Sequence, residues 1–108
     1  MGSFGRSWAG RSSGGHRGRL HADLVFADSG VEGTVGLHDE VHGVIILAGH
    51  GDFDGSRLVL TGAQPSAPRA GEPGEMRFEG ELQEDGAIRG SWTAHNGARG
   101  TFVLFPDA

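Results

Sequence analysis

The chain has 108 residues, a length that suits one domain and is too short for two. It contains no cysteine, which excludes disulfides and thiolate metal sites and is typical of a protein in a reducing cytoplasm. A net charge of −5 argues against general nucleic-acid binding, and the longest apolar run, Val44 to Ala48, is far too short to span a membrane. We therefore expect a cytoplasmic protein with no nucleic-acid or membrane partner.

Glycine is the most informative residue type in the composition. The chain holds 21 glycines, close to three times the usual share of about 7%. Inside a helix each glycine costs about 1 kcal/mol relative to alanine, and no long stretch of helical periodicity is free of glycine. The composition therefore predicts an all-β protein.

Short alternating segments separated by turn residues run along the whole chain. Groups such as Asp54-Gly55-Ser56 and Asn96-Gly97 are typical of tight hairpins, because glycine and asparagine accept positive φ angles. Between such turns we predict strands at residues 5–12, 18–27, 31–38, 43–53, 57–63, 75–83, 87–95 and 99–105. Nearly all connections are hairpin-short, which favours a small antiparallel up-and-down β-barrel of about eight strands, formed by residues 1–108 as a single domain.

Alternation along the strands predicts which side chains point into the barrel. The predicted inward set contains Trp8, Leu24, Phe26, Phe53, Phe78, Trp92 and Phe102. An apolar, aromatic-lined interior of this kind suits a hydrophobic small molecule, although large rings can also simply plug one end of a barrel. Arg11 or His21 is expected near the mouth of such a site.

A five-residue pattern of apolar, charged, glycine, polar and apolar residues occurs four times. Its copies begin at Val31, Phe78, Ile88 and Ala98. Two interpretations stay open at this point. In the first interpretation, the glycine lets each strand bend sharply or accept a neighbouring ring. In the second, a belt of positions without side chains leaves room for a ligand.

Two segments depart from the regular rhythm. Residues 64–74 contain three prolines, which cannot donate to a β-ladder. We predict a loop that is a lid, a partner-binding segment, or a disordered or structurally passive segment. The fourth strand is apolar on both faces between Val44 and Leu47, so its outer side is expected to be covered. We predict a homodimer through Ile45 and Ile46, with the N-terminal segment as the alternative cover.

Histidines and carboxylates cluster around the hairpin of the third and fourth strands, at His38, Asp39, Glu40, His42, His50, Asp52 and Asp54. These side chains are ligand types for zinc, nickel or iron. The spacing of His38 and His42 is not the zinc-protease pattern, because they flank a turn and not a helix, and the ligands of a calcium loop are missing after Asp54. Polar residues are also ordinary at hairpin ends. We therefore predict no metal site and no cofactor.

Trp8 near the start, the repeated strand–turn–strand pattern and the closing run from Gly90-Ser91-Trp92 to Gly100-Thr101-Phe102 carry a resemblance. In these features the chain resembles the calycin-type barrels, meaning avidins, lipocalins and their distant look-alikes. The resemblance implies an up-and-down barrel that binds a small molecule.

The sequence thus predicts a small-molecule-binding barrel, with ligand contacts from Trp8, Arg11, Leu24, Phe26, Phe78, Trp92 and Phe102. One alternative is a protein-interaction or oligomerisation module without a ligand. A further alternative is a cyclase or isomerase of the natural-product type, acting by shape and exclusion of water. No catalytic residue is predicted, and whether the protein is an enzyme stays open.

Overall fold

The structure, a computed structural model, describes residues 4–28 and 30–107. Eight strands follow one another in the chain: β1 (Phe4–Gly14), β2 (Gly18–Ala27), β3 (Gly30–Asp39), β4 (Gly43–Phe53), β5 (Arg57–Ala63), β6 (Glu75–Leu82), β7 (Ile88–Ala94) and β8 (Arg99–Pro106). Each strand pairs antiparallel with the next, and β8 pairs with β1, so the sheet closes. The predicted all-β up-and-down barrel is confirmed. The described part of the chain contains no helix capable of crossing a membrane.

The meander places alternate connections at opposite ends of the barrel. The connections β1–β2, β3–β4, β5–β6 and β7–β8, formed by residues 15–17, 40–42, 64–74 and 95–98, share what we call the capped end. The other three connections, which include residues 54–56 and 83–87, share what we call the open end with the start of β1 and the end of β8. Residues that are far apart in sequence therefore lie close together when their turns are at the same end of the barrel.

The barrel interior is filled by side chains from all eight strands. Burial alternates strictly along β2, as the sequence predicts. Near the middle, the rings of Phe78 and Phe102 pack edge to face with centroids 5.3 Å apart. Both tryptophans point inward, but Trp8 lies opposite Pro106 and Trp92 lies opposite Gly100, so they occupy opposite ends of β8. The filled interior agrees with the general size of eight-stranded barrels, whose interior is just wide enough for packed side chains.

The repeated glycines lie where neighbouring strands or rings come unusually close. A Cβ atom added at Gly90 would lie 1.9 Å from the carbonyl oxygen of Glu79, and one at Gly100 would lie 1.8 Å from that of Ser13. At Gly80 it would lie 2.8 Å from the ring of Phe102. Of the two interpretations left open by the sequence, the structure supports the geometric one. The space beside these glycines is occupied by protein.

The fourth strand exposes one of its two apolar faces. Val44 and Ile46 point outward and are 59% and 49% exposed, whereas Ile45 is only 1% exposed and lies in the core with Leu47. Adjacent residues of a strand point to opposite faces, so the two isoleucines predicted to form a dimer contact cannot act together. Of this pair, only the side chain of Ile46 is accessible to a partner.

Candidate functional site

An apolar pocket of about 300 Å³ lies at the open end, and we call it the mouth pocket. It is lined by Arg6, Trp8, Phe26, Phe53, Leu82, Gly86 and Pro106. These residues come from the start of β1, the ends of β2, β4, β6 and β8, and the β6–β7 connection, all of which the meander brings to one rim. The ring of Phe26 lies between the rings of Trp8 and Phe53 and forms an aromatic wall with them. Its centroid is 6.4 Å from that of Trp8 and 5.4 Å from that of Phe53.

Trp8 and Arg6 give the mouth pocket its polar character. The Arg6 guanidinium carbon lies 5.8 Å from the Trp8 ring centroid, within the range of a cation–π contact. The Trp8 indole Nε1 is buried and has no hydrogen-bond acceptor among the described residues. A buried donor left unpaired costs about 1–3 kcal/mol. Arg6 is also the one charged side chain among the described residues of the lining.

The structure separates the predicted ligand-binding residues into three groups. Trp8 and Phe26 line the mouth pocket. Arg11 is exposed on the outer wall, opposite Arg19 of β2, because its neighbours on β1 supply the inward face. The others are buried in the packed core, namely Leu24, Phe78, Trp92 and Phe102. Phe53, predicted from the sequence as part of the apolar lining, also lines the mouth pocket. Arg6 was not selected from the sequence, although strand alternation and the position of its strand end together indicate its place at the rim.

The capped end carries a buried polar cluster built on His16, in the β1–β2 connection. His16 Nδ1 lies 2.7 Å from Asp39 Oδ2, and both residues are buried. The Asn96 Nδ2 group lies 3.1 Å from His16 Nε2. Because the Ala98 N–H donates to Asn96 Oδ1, the amide orientation is fixed with its nitrogen toward His16. The hydrogen of the imidazole is therefore on Nδ1, donated to Asp39, and Nε2 accepts from Asn96.

This cluster joins all four connections of the capped end. The His16 ring packs against Trp92, with centroids 5.7 Å apart, so the cluster rests directly on the apolar core. Asn96 Nδ2 also lies 3.4 Å from the carbonyl oxygen of Gly71 and 3.3 Å from that of Glu72, in the proline-rich loop. Loop 64–74 is thus held against the capped end by the same amide that contacts His16.

Asp39, the last residue of β3, is the main acceptor of the cluster. Its Oδ1 accepts the backbone N–H of Val41 at 2.7 Å and that of His42 at 3.0 Å, in addition to the His16 bond on Oδ2. Burial raises the pKa of the Asp39 carboxyl, but the hydrogen bonds from His16, His42 and Val41 outweigh it. The pKa therefore lies below its ordinary value and the group is a carboxylate at neutral pH.

A set of three potential metal ligands results, formed by His16, Asp39 and His42. Their ligand atoms all lie within 4.8 Å of one another, and His42 Nδ1 is 3.4 Å from Asp39 Oδ1. Asp39 and His42 were among the potential metal ligands named from the sequence, but His16, which belongs to a different hairpin, was not. Every second turn of a meander lies at the same end of the barrel, and this rule is the signal that places the two hairpin ends together.

The other polar residues of the β3–β4 hairpin do not join this set. His38 and Glu40 are exposed, and His50, Asp52 and Asp54 are exposed near the open end. The expected proximity of the two groups is wrong, because β4 runs the length of the barrel between them.

Fold and site together define an eight-stranded up-and-down barrel with an apolar mouth at one end and a His–Asp cluster under a loop at the other. Comparison with known proteins finds no matching family model, no similar curated protein and no similar solved structure. The barrel architecture is therefore established by the structure alone, and no match supports a calycin assignment.

Proposed function

We propose that the protein binds a small hydrophobic molecule in the mouth pocket. The observation that carries this proposal is an aromatic-walled pocket at the open end of the barrel, lined by the core residues Trp8 and Phe26 and by the partly buried Phe53. Its volume of about 300 Å³ is at the lower limit of typical ligand sites. The proposal also agrees with the resemblance to calycin-type barrels, which implies a small-molecule ligand. It places the ligand at the rim, above the packed interior.

The lining indicates the chemical class of the ligand. Flat apolar rings suit the walls formed by Trp8, Phe26 and Phe53, because aromatic surfaces gain contact area with little loss of conformational entropy. Arg6 favours an anionic or strongly polar group at the rim. We therefore expect a flat aromatic or polycyclic molecule with one acidic or oxygen-bearing end.

Binding of the probe N-phenyl-1-naphthylamine is expected to be lost in the Leu82→Glu variant. Leu82 lies at the rim and is partly exposed, so glutamate there leaves the core intact and places a carboxylate in an apolar pocket. We expect the dissociation constant, measured from probe fluorescence, to rise at least about tenfold, which corresponds to about 1.4 kcal/mol. Ile46→Glu, which removes an equally accessible side chain from the outer wall, is the matched control and should bind as the wild type does.

Two results would contradict this proposal. One is equal affinity of the Leu82→Glu variant and the wild type, and the other is loss of binding in Ile46→Glu, which would place the probe on the outer wall.

The role of Arg6 is tested separately, by comparing the affinities of a neutral and an anionic probe. The probe with an added sulfonate, 1-anilinonaphthalene-8-sulfonate, should bind the wild type more tightly than the neutral probe, and Arg6→Gln should abolish that preference.

The outer face of β4 supports a second candidate function, self-association. Val44 and Ile46 form an apolar strip on the outer face of β4, and Val41 in the preceding turn is 83% exposed. Burial of such a strip by a second copy would gain about 25 cal/mol for each Å² of apolar surface removed from water.

The mouth pocket gives less support to the cyclase or isomerase alternative than to ligand binding, since Arg6 is the only titratable side chain among its described lining residues.

Ile46→Glu is expected to shift any dimer toward the monomer, because a charge would then face its own copy across the interface. Sedimentation velocity over a range of protein concentrations measures this shift. Val25→Glu is the matched control, since Val25 is a similarly exposed apolar residue on the outer face of β2. Identical sedimentation of the wild type and Ile46→Glu would rule out this interface. Ile45→Glu is not a usable test, because Ile45 lies in the core.

A further inference from the structure

We infer that His16, Asp39 and His42 form a binding site for Zn²⁺ at the capped end. This inference goes beyond the proposed ligand site, which lies at the other end of the barrel. It concerns residues from two hairpins that the fold brings together.

The donor set is the first argument. Two imidazole nitrogens and one carboxylate oxygen are ligands that zinc accepts, and three protein ligands leave a coordination position for water or another small ligand. Zinc bonds of about 2.1 Å at tetrahedral angles place neighbouring donor atoms about 3.4 Å apart. The structure has 2.7 Å between His16 Nδ1 and Asp39 Oδ2, and 3.4 Å between His42 Nδ1 and Asp39 Oδ1. These two contacts use different oxygens of Asp39, and one ligand atom from each of the three residues lies within 4.8 Å of the others, so small side-chain movements bring the set to the separations that a shared ion requires.

The orientation of His42 is the second argument. A Cβ atom at Gly71 would lie only 2.6 Å from His42 Nε2, so the loop backbone packs against that nitrogen and leaves Nδ1 toward Asp39. At 3.4 Å, this Nδ1 is beyond the usual length of a hydrogen bond to a carboxylate. The ring points a nitrogen at the carboxylate without a hydrogen bond, and its side chain is 28% exposed, which gives an ion a route from solvent.

Zinc would take the place of the hydrogen between His16 and Asp39. When the ion binds, the neutral His16 ring changes tautomer: Nδ1 gives up its hydrogen to solvent and Nε2 takes one from solvent, with no net loss of a proton from the ring. In the present arrangement Asn96 directs a donor toward that nitrogen. The amide of Asn96 must then turn away, which weakens binding. An acceptor at residue 96 would instead hold the ring in the metal-binding tautomer, as carboxylates commonly do behind zinc-bound histidines.

The test is zinc binding to the full chain, free of any affinity tag, by equilibrium dialysis at pH 8. We expect one Zn²⁺ per chain for the wild type and at least tenfold weaker binding for His42→Gln. The control is His21→Gln, since His21 Nε2 lies 3.3 Å from Asp23 Oδ2 on the outer wall and the pair belongs to no three-ligand group among the described residues. This variant should bind zinc as the wild type does. Circular dichroism of metal-free His42→Gln verifies its fold.

The Asn96→Asp variant gives an independent readout that a purely structural His–Asp pair would not produce. We expect it to bind zinc about tenfold more tightly, through the acceptor it offers to His16 Nε2–H. Wild-type protein titrated with Co²⁺ should develop visible ligand-field absorption that excess Zn²⁺ removes. The inference is overturned if the wild type retains no zinc, if His42→Gln binds equally well, or if His21→Gln loses as much affinity. Unchanged or weaker binding by Asn96→Asp would likewise contradict it.

Discussion

Replacing Gly90 by alanine is expected to destabilise the barrel severely, whereas the same change at Gly36 should leave it folded. Both glycines lie within strands, yet their surroundings differ. A Cβ at Gly90 would lie 1.9 Å from the Glu79 carbonyl oxygen and 2.5 Å from the Gly80 Cα, both backbone atoms of β6. Side chains can rotate away from a new methyl group, but these atoms can move only if β6 and β7 separate and lose ladder hydrogen bonds.

The expected loss is therefore at or above the upper end of the range for overpacking, about 3 kcal/mol. In a domain of this size, such a loss lowers the melting temperature by about 12 °C or more. Urea unfolding followed by tryptophan fluorescence measures it. At Gly36 a new Cβ would meet Ile46 Cδ1 at 3.5 Å, an ordinary contact, and its φ is not positive. Alanine there should be neutral or stabilising by up to about 1 kcal/mol, because it restricts the unfolded chain.

Equal stabilities of the two variants would mean that β6 and β7 can accommodate a side chain at residue 90, and that close approach of the strands does not require glycine there. This comparison matters for function, because it addresses the alternative that the repeated glycines leave room for a ligand. If Gly90→Ala folded normally and reduced binding of the naphthylamine probe, the ligand would lie in the barrel interior.

The barrel was predictable because its determinants are local. Turn residues recur at short intervals, and alternation along β2 from Leu20 to Phe26 assigns the inward face without any knowledge of the partner strands. The same alternation separates Ile45 from Ile46, although the apolar run across both faces obscured it. Whether the interior is filled depends on how rings such as Phe78 and Phe102 pack across the barrel, which no local pattern specifies.

The candidate sites were only partly predictable, because each collects residues from several hairpins. Trp8 and Phe26 were recognised as inward residues, but their position at the mouth depends on how far each strand extends. The cluster at the capped end joins His16 to Asp39, 23 positions later in the chain, and to Asn96, a further 57 positions on. Only the rule that alternate turns lie at the same end of the barrel relates these residues. That rule can be applied only after the closed meander topology is known.

Replacing Asp39 by alanine is expected to cost much more stability than replacing Asp54 by alanine. The two aspartates have the same local role, since each accepts the backbone N–H groups two and three residues later. Asp39 alone of the two also accepts the buried His16 Nδ1–H, which would keep no partner in the alanine variant. The unpaired donor costs about 1–3 kcal/mol, and the lost bonds to a carboxylate add to it.

We expect Asp39→Ala to lower the unfolding free energy by about 3 kcal/mol or more, with the larger part due to His16 and the core beneath it. Urea unfolding in the presence of a chelator measures this without any contribution from bound metal. Because Asp54 lies in an exposed turn, its variant reports the contribution of turn hydrogen bonds alone, and the difference between the two isolates the buried pair. Similar losses in both would show that His16 finds another partner, and the cluster would then contribute to the site without holding the barrel closed.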